Sequence, residues 1–133
     1  MRVLLLGTML LGACSPAPEL KSGEYEVPVG DGVVAGARVR VDVAERQIVM
    51  LGGCSGHYLD YRLDGARLNV VEEAVTAEAC DDGGPYADDL NNRVSELLNQ
   101  RPRVILTDSG FDLAPDSGGQ PVSFIQSPKN AQN

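Results

Sequence analysis

The stretch Gly52–Tyr58, GGCSGHY, places a thiol, a hydroxyl and the chain's one histidine within four residues. Cys54 or Ser55 could act as a nucleophile with His57 as its base, which is the arrangement that covalent hydrolases use. The spacing does not match the nucleophile elbow, which needs Gly at the fifth position of Gly-x-Ser-x-Gly and a strand-to-helix turn. No third group to orient the base and no oxyanion donors can be assigned. We therefore expect no catalytic residues here, and a small hydrolase is the least favoured function.

Metal binding is also not favoured, because one histidine and two widely spaced cysteines do not form a zinc pattern. Carboxylates do cluster along the chain, but the D-x-D-x-D-G calcium loop is absent. The clusters are Asp81, Asp82, Asp88 and Asp89, and Asp108, Asp112 and Asp116. We interpret them as solvated turns and helix-start charges, and we expect no metal and no cofactor.

Composition limits the fold and the partners of the chain. Its 133 residues suffice for one domain, and 43% of them are hydrophobic, but it has no Trp and only two Phe. The core must therefore be mainly aliphatic. The net charge of −8 disfavours nucleic acid as a partner, because both polymers would be polyanions. We expect a monomer with a self-repelling surface.

The N-terminus carries an export pattern. An early Arg2 precedes an apolar run from Val3 to Leu11, which is too short to span a bilayer as a lasting helix. The following Leu11-Gly12-Ala13-Cys14 resembles the bacterial lipoprotein signal. The resemblance implies removal of residues 1–13 and acylation of Cys14 on its sulfur and amine. Ser15, rather than Asp, follows the cysteine, which in such signals implies sorting to the outer membrane.

Export also bears on the two remaining cysteines, Cys54 and Cys80. An even pair in an oxidising compartment predicts a disulfide, with two free buried thiols as the alternative. The bridge would join the end of one strand to the entry of a helix. Residues 14–22, which include two prolines, are expected to form a flexible tether between the lipid and the domain.

The elements that position these residues are mostly strands. Alternating patterns such as ARVRVDV, with Val39, Val41 and Val43 on one face, predict antiparallel strands. Asp64-Gly65 is predicted to form a hairpin turn. After Cys80 the apolar period becomes helical, and further short strands follow. This order favours an α+β fold in which a curved antiparallel sheet, partly open and barrel-like, packs on one helix.

The combined spacing from Gly52 onward resembles the META domain of the HslJ-type heat-shock lipoproteins. That family has Gly-Cys-Asn, a turn glycine, a glycine-containing hairpin, Thr-x-x-x-Cys, an amphipathic helix and a terminal hairpin. The residues of this chain that match or stand in the motif are Gly53, Cys54, Ser55, Gly56, Gly65, Thr76 and Cys80. Ser55 departs from the pattern because the family usually has Asn there. The resemblance implies a small β-rich domain over 23–126, an envelope location and no established catalysis.

These observations together predict a lipid-anchored, non-enzymatic outer-membrane lipoprotein that faces the periplasm. It would contribute to envelope integrity or stress tolerance by binding an apolar ligand or a protein segment. The alternative is a periplasmic assembly chaperone or inhibitor that binds one specific partner. Residues 127–133 are expected to be a disordered tail.

Overall fold

The computed structural model describes residues 17–29, 32–33, 37–80 and 84–127. They form ten strands and one helix. In chain order these are β1 (Gly23–Glu26), β2 (Pro28–Val29), β3 (Gly32–Val33), β4 (Arg38–Asp42), β5 (Gln47–Leu51), β6 (Ser55–Asp64), β7 (Arg67–Ala77), α1 (Gly84–Leu98), β8 (Arg103–Leu106), β9 (Gly110–Ala114) and β10 (Val122–Gln126). The predicted signal, residues 1–13, and Cys14 lie outside the described residues.

Eight of the strands form one closed antiparallel ring, in the order β1-β10-β9-β8-β7-β6-β5-β4. β1 closes it by pairing with β10 on one side and β4 on the other. β2 and β3 form a separate two-stranded sheet. The predicted α+β fold, a curved antiparallel sheet packed on one helix, is confirmed. The sheet is more completely closed than the sequence suggested.

The junction between β7 and β8 is the weakest part of the ring. The two strands share a single register pair, Arg67 with Arg103. Two backbone hydrogen bonds flank it, from the Leu68 amide to the Pro102 carbonyl and from the Val104 amide to the Ala66 carbonyl. Beyond residue 68, no strand among the described residues pairs with β7 on this side, and α1 packs next to it.

The ring encloses the predicted aliphatic core. Val39 and Val41 of β4 are buried as expected, whereas Val43 lies in the turn after the strand and is 37% exposed, so its predicted inward position is wrong. The helix contributes the apolar stripe Leu90, Val94, Leu97 and Leu98. Aromatic side chains fill one region, where the Phe111 and Phe124 rings stack with centroids 4.8 Å apart.

The folded part begins earlier than the sequence predicted. Leu20, within the expected tether 14–22, is 5% exposed and packs in the core. The Lys21 carbonyl accepts a 2.7 Å hydrogen bond from the Tyr25 hydroxyl, and the Ser22 hydroxyl accepts one from the Val43 amide. At the other end the Ser127 amide donates to the Glu24 carbonyl, and the rest of the expected tail lies outside the described residues.

The β6–β7 hairpin differs from the prediction by one residue. Asp64 pairs with Arg67, so the turn consists of Gly65 and Ala66 rather than Asp64-Gly65. Gly65 has φ 59, while Ala66 has no positive φ. A glycine in the first position of a two-residue turn, followed by a residue with negative φ, is typical of a type II′ hairpin. Gly65 is therefore a turn residue, as the sequence indicated, but it is the first residue of the turn and not the second.

A bulge in β7 decides which side chains face the helix. Asp60 pairs with Glu72 and Tyr61 with Val70, so Val71 has no partner on β6. One extra residue reverses the alternation of side chains along the strand. Glu73 consequently lies on the same face as its partner Leu59, which is the inner face.

No helix in the described part of the chain is long and apolar enough to cross a membrane.

Candidate functional site

The GGCSGHY stretch forms a turn followed by the start of a strand. Gly52 and Gly53 have φ of 122° and 67°, values that side chains disfavour, and β6 begins at Ser55. Cys54 forms a disulfide with Cys80, 26 positions later. The predicted bridge is confirmed, and Cys54 is therefore not available as a thiolate nucleophile.

Ser55 and the Cys54 amide are held by the helix. Oδ1 of Asp88 accepts a 2.9 Å hydrogen bond from the Ser55 hydroxyl and a 3.0 Å bond from the Cys54 N–H. The sequence predicts that Asp88 and Asp89 are helix-start charges, but neither lies in the first turn of α1. Asp88 instead joins the helix to the beginning of β6.

Gly56 is not the turn glycine that the resemblance implied. It lies within β6, paired with Thr76, and it does not have positive φ. A Cβ on Gly56 would come within 3.0 Å of Thr76 Oγ1 and 3.1 Å of Glu78 Oε1. The Thr76 hydroxyl donates a 2.8 Å hydrogen bond to that Glu78 oxygen. Glycine therefore leaves room for the hydrogen-bonded side chains of Thr76 and Glu78, which a Cβ would crowd.

His57 takes part in a polar cluster between β6, β7 and α1. It is 4% exposed, and its Nδ1 lies 3.3 Å from Oε1 of Glu73. The same carboxylate accepts bonds from the Ser95 hydroxyl, at 2.5 Å, and from the Asn99 side-chain amide, at 3.0 Å. Partial burial alone would raise the pKa of Glu73, but the hydrogen bonds from Ser95, Asn99 and His57 together lower it.

The connectivity of this cluster differs from that of a hydrolase. Ser95 donates to the carboxylate rather than to His57, so the histidine is not placed to take its proton. Nε2 of His57 and the side-chain amide of the fully buried Asn91 have no hydrogen-bond partner among the described residues. The cluster joins the helix to β7.

Sequence reasoning missed this cluster, although a signal was present. Asn91, Ser95 and Asn99 are four residues apart and form a polar stripe beside the apolar one. Glu73, which accepts the hydrogen bonds of Ser95 and Asn99, could not be found from the sequence, because only the bulge at Val71 turns it inward.

The carboxylate clusters give no metal site in the described residues, where no three His, Cys, Asp or Glu side chains lie close enough to hold an ion. Asp81 and Asp82 lie outside those residues. Asp116 Oδ1 accepts a 2.8 Å hydrogen bond from Nη2 of Arg67, and this bond lowers the pKa of the carboxyl. The expected lack of a cofactor stays a prediction.

One cavity of about 160 Å³ lies between the N-terminal segment and the β8–β9 turn. Leu20, Tyr25, Leu106 and Phe111 supply its apolar lining, and Glu19, Lys21, Asp108 and Ser109 are among its polar residues. Small-molecule sites are usually about 300–1,000 Å³. This cavity therefore offers little room for an acyl chain.

The second half of β7 has an unpaired edge, defined here as residues 73–77 and called the open edge. Residues 74–77 are exposed, and the flanking Val71 and the central Val75 are 64% and 60% exposed. β6 pairs with one side of this segment through residues 55–59, but no strand in the described residues pairs with the other side. A free strand edge of this kind can accept another strand.

No family model matches the chain. No curated protein matches it either. Two solved structures share its fold. An NMR structure of a protein superimposes with a TM-score of 0.61 at 17% identity, over 86% of this chain and 95% of that one. An NMR structure of a protein from Burkholderia xenovorans gives a TM-score of 0.53 at 20% identity, over 82% of this chain and 84% of that one. These similarities establish the fold alone.

Proposed function

We propose that the chain is a lipid-anchored, non-enzymatic lipoprotein of the outer membrane that faces the periplasm, with a META-like binding domain. The observation that carries this proposal is the combination of Cys14 in a lipoprotein-type signal with the Cys54–Cys80 disulfide. Structural disulfides are typical of exported proteins and rare in the cytosol. The N-terminal signal and the disulfide therefore both favour an exported protein.

The absence of catalysis is supported by the contacts of the side chains that could do chemistry. Cys54 forms a disulfide with Cys80, the Ser55 hydroxyl donates a hydrogen bond to Asp88, and His57 is buried beside Glu73. Each of them stabilises the junction of sheet and helix. We propose that the domain acts by binding, and that it contributes to envelope integrity or stress tolerance in this way.

Membrane fractionation tests the anchor. Wild-type protein should sediment with outer membranes, and Cys14→Ser should give a soluble or unprocessed product. The Cys54→Ala/Cys80→Ala double variant is the matched control, since it also removes cysteines but should stay on the membrane. Identical fractionation and mass for wild type and Cys14→Ser would refute lipid anchoring.

A second candidate is a periplasmic assembly chaperone or inhibitor that binds one protein. The open edge favours it, because main-chain pairing at a strand edge is a common way to hold an extended segment. In-cell crosslinking from residue 75, followed by pull-down, distinguishes this candidate from a general envelope role. One stoichiometric partner supports the second candidate, whereas no enrichment of a single partner favours the general envelope role.

A further inference from the structure

We infer, on the basis of the proposed binding function, that the open edge adds an extended cationic peptide segment to the ring as a further strand. The occupant would alternate basic residues on one face with apolar residues on the other. Three features of β7 support this occupant: its outward-facing backbone groups, the carboxylates beside it and its exposed valines.

The backbone groups of the open edge point away from β6. The Glu78 amide donates to the Cys54 carbonyl, which makes these two residues a hydrogen-bonded pair of the ladder. Such pairs alternate with pairs whose N–H and C=O groups face outward. Glu73, Val75 and Ala77 belong to the outward-facing set. In the described part of the chain β6 is the strand that pairs with these three residues, and no backbone hydrogen bond from a turn or loop reaches them.

The helix leaves this edge accessible. It is held beneath the sheet at two places, through Asp88 to the start of β6 and through Ser95 and Asn99 to Glu73. Residues 74–77 remain exposed. An incoming strand can therefore approach them from the side.

The side chains next to the edge set the chemistry of the occupant. Ala74 and Thr76 lie on the outer face, with the exposed carboxylates Glu72 and Glu78 at either end. Lys or Arg on the outer face of an added strand would lie beside those carboxylates. On the other face Val75 is exposed and would contact apolar residues. Opposite charges and β-branched pairs across strands are both favourable.

A second copy of this chain fits less well. Antiparallel pairing of two open edges about Val75 would place Glu72 of one copy opposite Glu78 of the other. Like charges directly opposite each other are destabilising, and the chain carries a net charge of −8. The edge is therefore better suited to a basic partner than to self-association.

The test uses the full chain in non-ionic detergent and a fluorescent eight-residue peptide that alternates Lys and Val. A peptide in which Glu replaces Lys is the charge control. Val75→Pro removes the outward-facing N–H and leaves the ladder with β6 intact, since proline is tolerated on strand edges. Val75→Thr keeps both the N–H and the branched shape. Ellipticity and the urea midpoint show whether each variant is folded.

We expect the Lys peptide to bind wild type and Val75→Thr, with affinity falling about tenfold or more in folded Val75→Pro. The Glu peptide should not bind. Hydrogen exchange should slow at the amides of Glu73, Val75 and Ala77 when the Lys peptide is present. Equal binding to Val75→Pro, no binding to wild type, or slowed exchange elsewhere would overturn the inference.

Self-association of the chain is measured separately, by sedimentation. Sedimentation that shows a wild-type dimer lost in Val75→Pro would overturn the inference in favour of a second copy as the occupant. None of these results alters the fractionation of Cys14→Ser, so failure at the open edge is distinguishable from failure of the proposed lipoprotein function.

Discussion

Asp88 in the helix and Ser55 at the first position of β6 are joined by a 2.9 Å hydrogen bond across 33 positions of sequence. The same carboxylate oxygen accepts the N–H of Cys54, whose sulfur is bonded to Cys80 just before the helix. Asp88 therefore joins the helix to the start of β6, and the disulfide joins the same point to the segment between β7 and α1. The residues that look like a nucleophilic centre in the sequence form this junction.

Replacing Asp88 with Ala should destabilise the domain by about 1–3 kcal/mol, because the partly buried Cys54 N–H and Ser55 hydroxyl both lose their acceptor. Ser55→Ala should cost less, about 1 kcal/mol, since it removes one bond. Urea denaturation measures both. Asp89→Ala is the control, because Asp89 is exposed and its partner among the described residues is Arg93, in an i,i+4 pair worth at most about 0.5 kcal/mol. Equal losses for Asp88→Ala and Asp89→Ala would contradict the assigned role.

Reducing the Cys54–Cys80 bridge should lower the free energy of unfolding by about 3 kcal/mol, because the unfolded chain regains the freedom of a loop of 26 positions. Denaturation with and without reductant measures the loss. The Cys54→Ala/Cys80→Ala variant should match the reduced wild type and show no response to reductant. A wild-type curve unchanged after reduction, with complete alkylation of both thiols, would show that the bridge does not stabilise the fold.

Glu73 should make the free energy of unfolding depend on pH in the acidic range. Its pKa is lowered in the folded state, so the unfolded state binds the proton more tightly. This contribution is fully present above the ordinary glutamate pKa of about 4.3 and is lost as the pH falls through the folded value. Glu73→Gln should therefore flatten the dependence of the urea midpoint on pH in that range. Glu72→Gln, at the exposed neighbouring residue, should leave the pH dependence of the urea midpoint unchanged. If the two variants show the same dependence of the urea midpoint on pH, Glu73 does not contribute this stability.

Gly56→Ala should destabilise the domain by about 1 kcal/mol or more, because its methyl group would crowd Thr76, Glu78 and Tyr58. Gly32→Ala is the matched control, since a Cβ there meets nothing within 4 Å. Thermal or urea denaturation compares the two. If the Gly56 variant is as stable as the Gly32 variant, the side chains of Thr76, Glu78 and Tyr58 move aside without cost, and the predicted crowding is wrong.

The local elements could be predicted because their signals are local. Alternating valines identified β4, a glycine identified the β6–β7 turn, and a change of period after Cys80 identified α1. The disulfide followed from an even pair of cysteines in an exported chain. Each of these inferences depends on residues near one another in sequence or on simple pairing.

The tertiary relationships could not be predicted in this way. Closure of the ring depends on β1 pairing with both β4 and β10, which no local pattern encodes. The inward position of Glu73 depends on a bulge at Val71 that interrupts an otherwise regular alternation. Gly56 resembled a turn residue because glycine marks both turns and close approaches, and only the position of Thr76 distinguishes them. The polar neighbours of Leu20 favour a tether, and the sequence gives no sign that this one apolar side chain packs in the core.

The intact mass of protein extracted from membranes tests the lipid anchor and the disulfide in one measurement. It should correspond to a chain that begins at Cys14 and carries acyl groups on that residue, with alkylation adding mass at Cys54 and Cys80 only after reduction. A mass that retains residues 1–13, or a Cys14 without acyl groups, would contradict lipid anchoring, and alkylation of Cys54 or Cys80 without reduction would contradict the bridge.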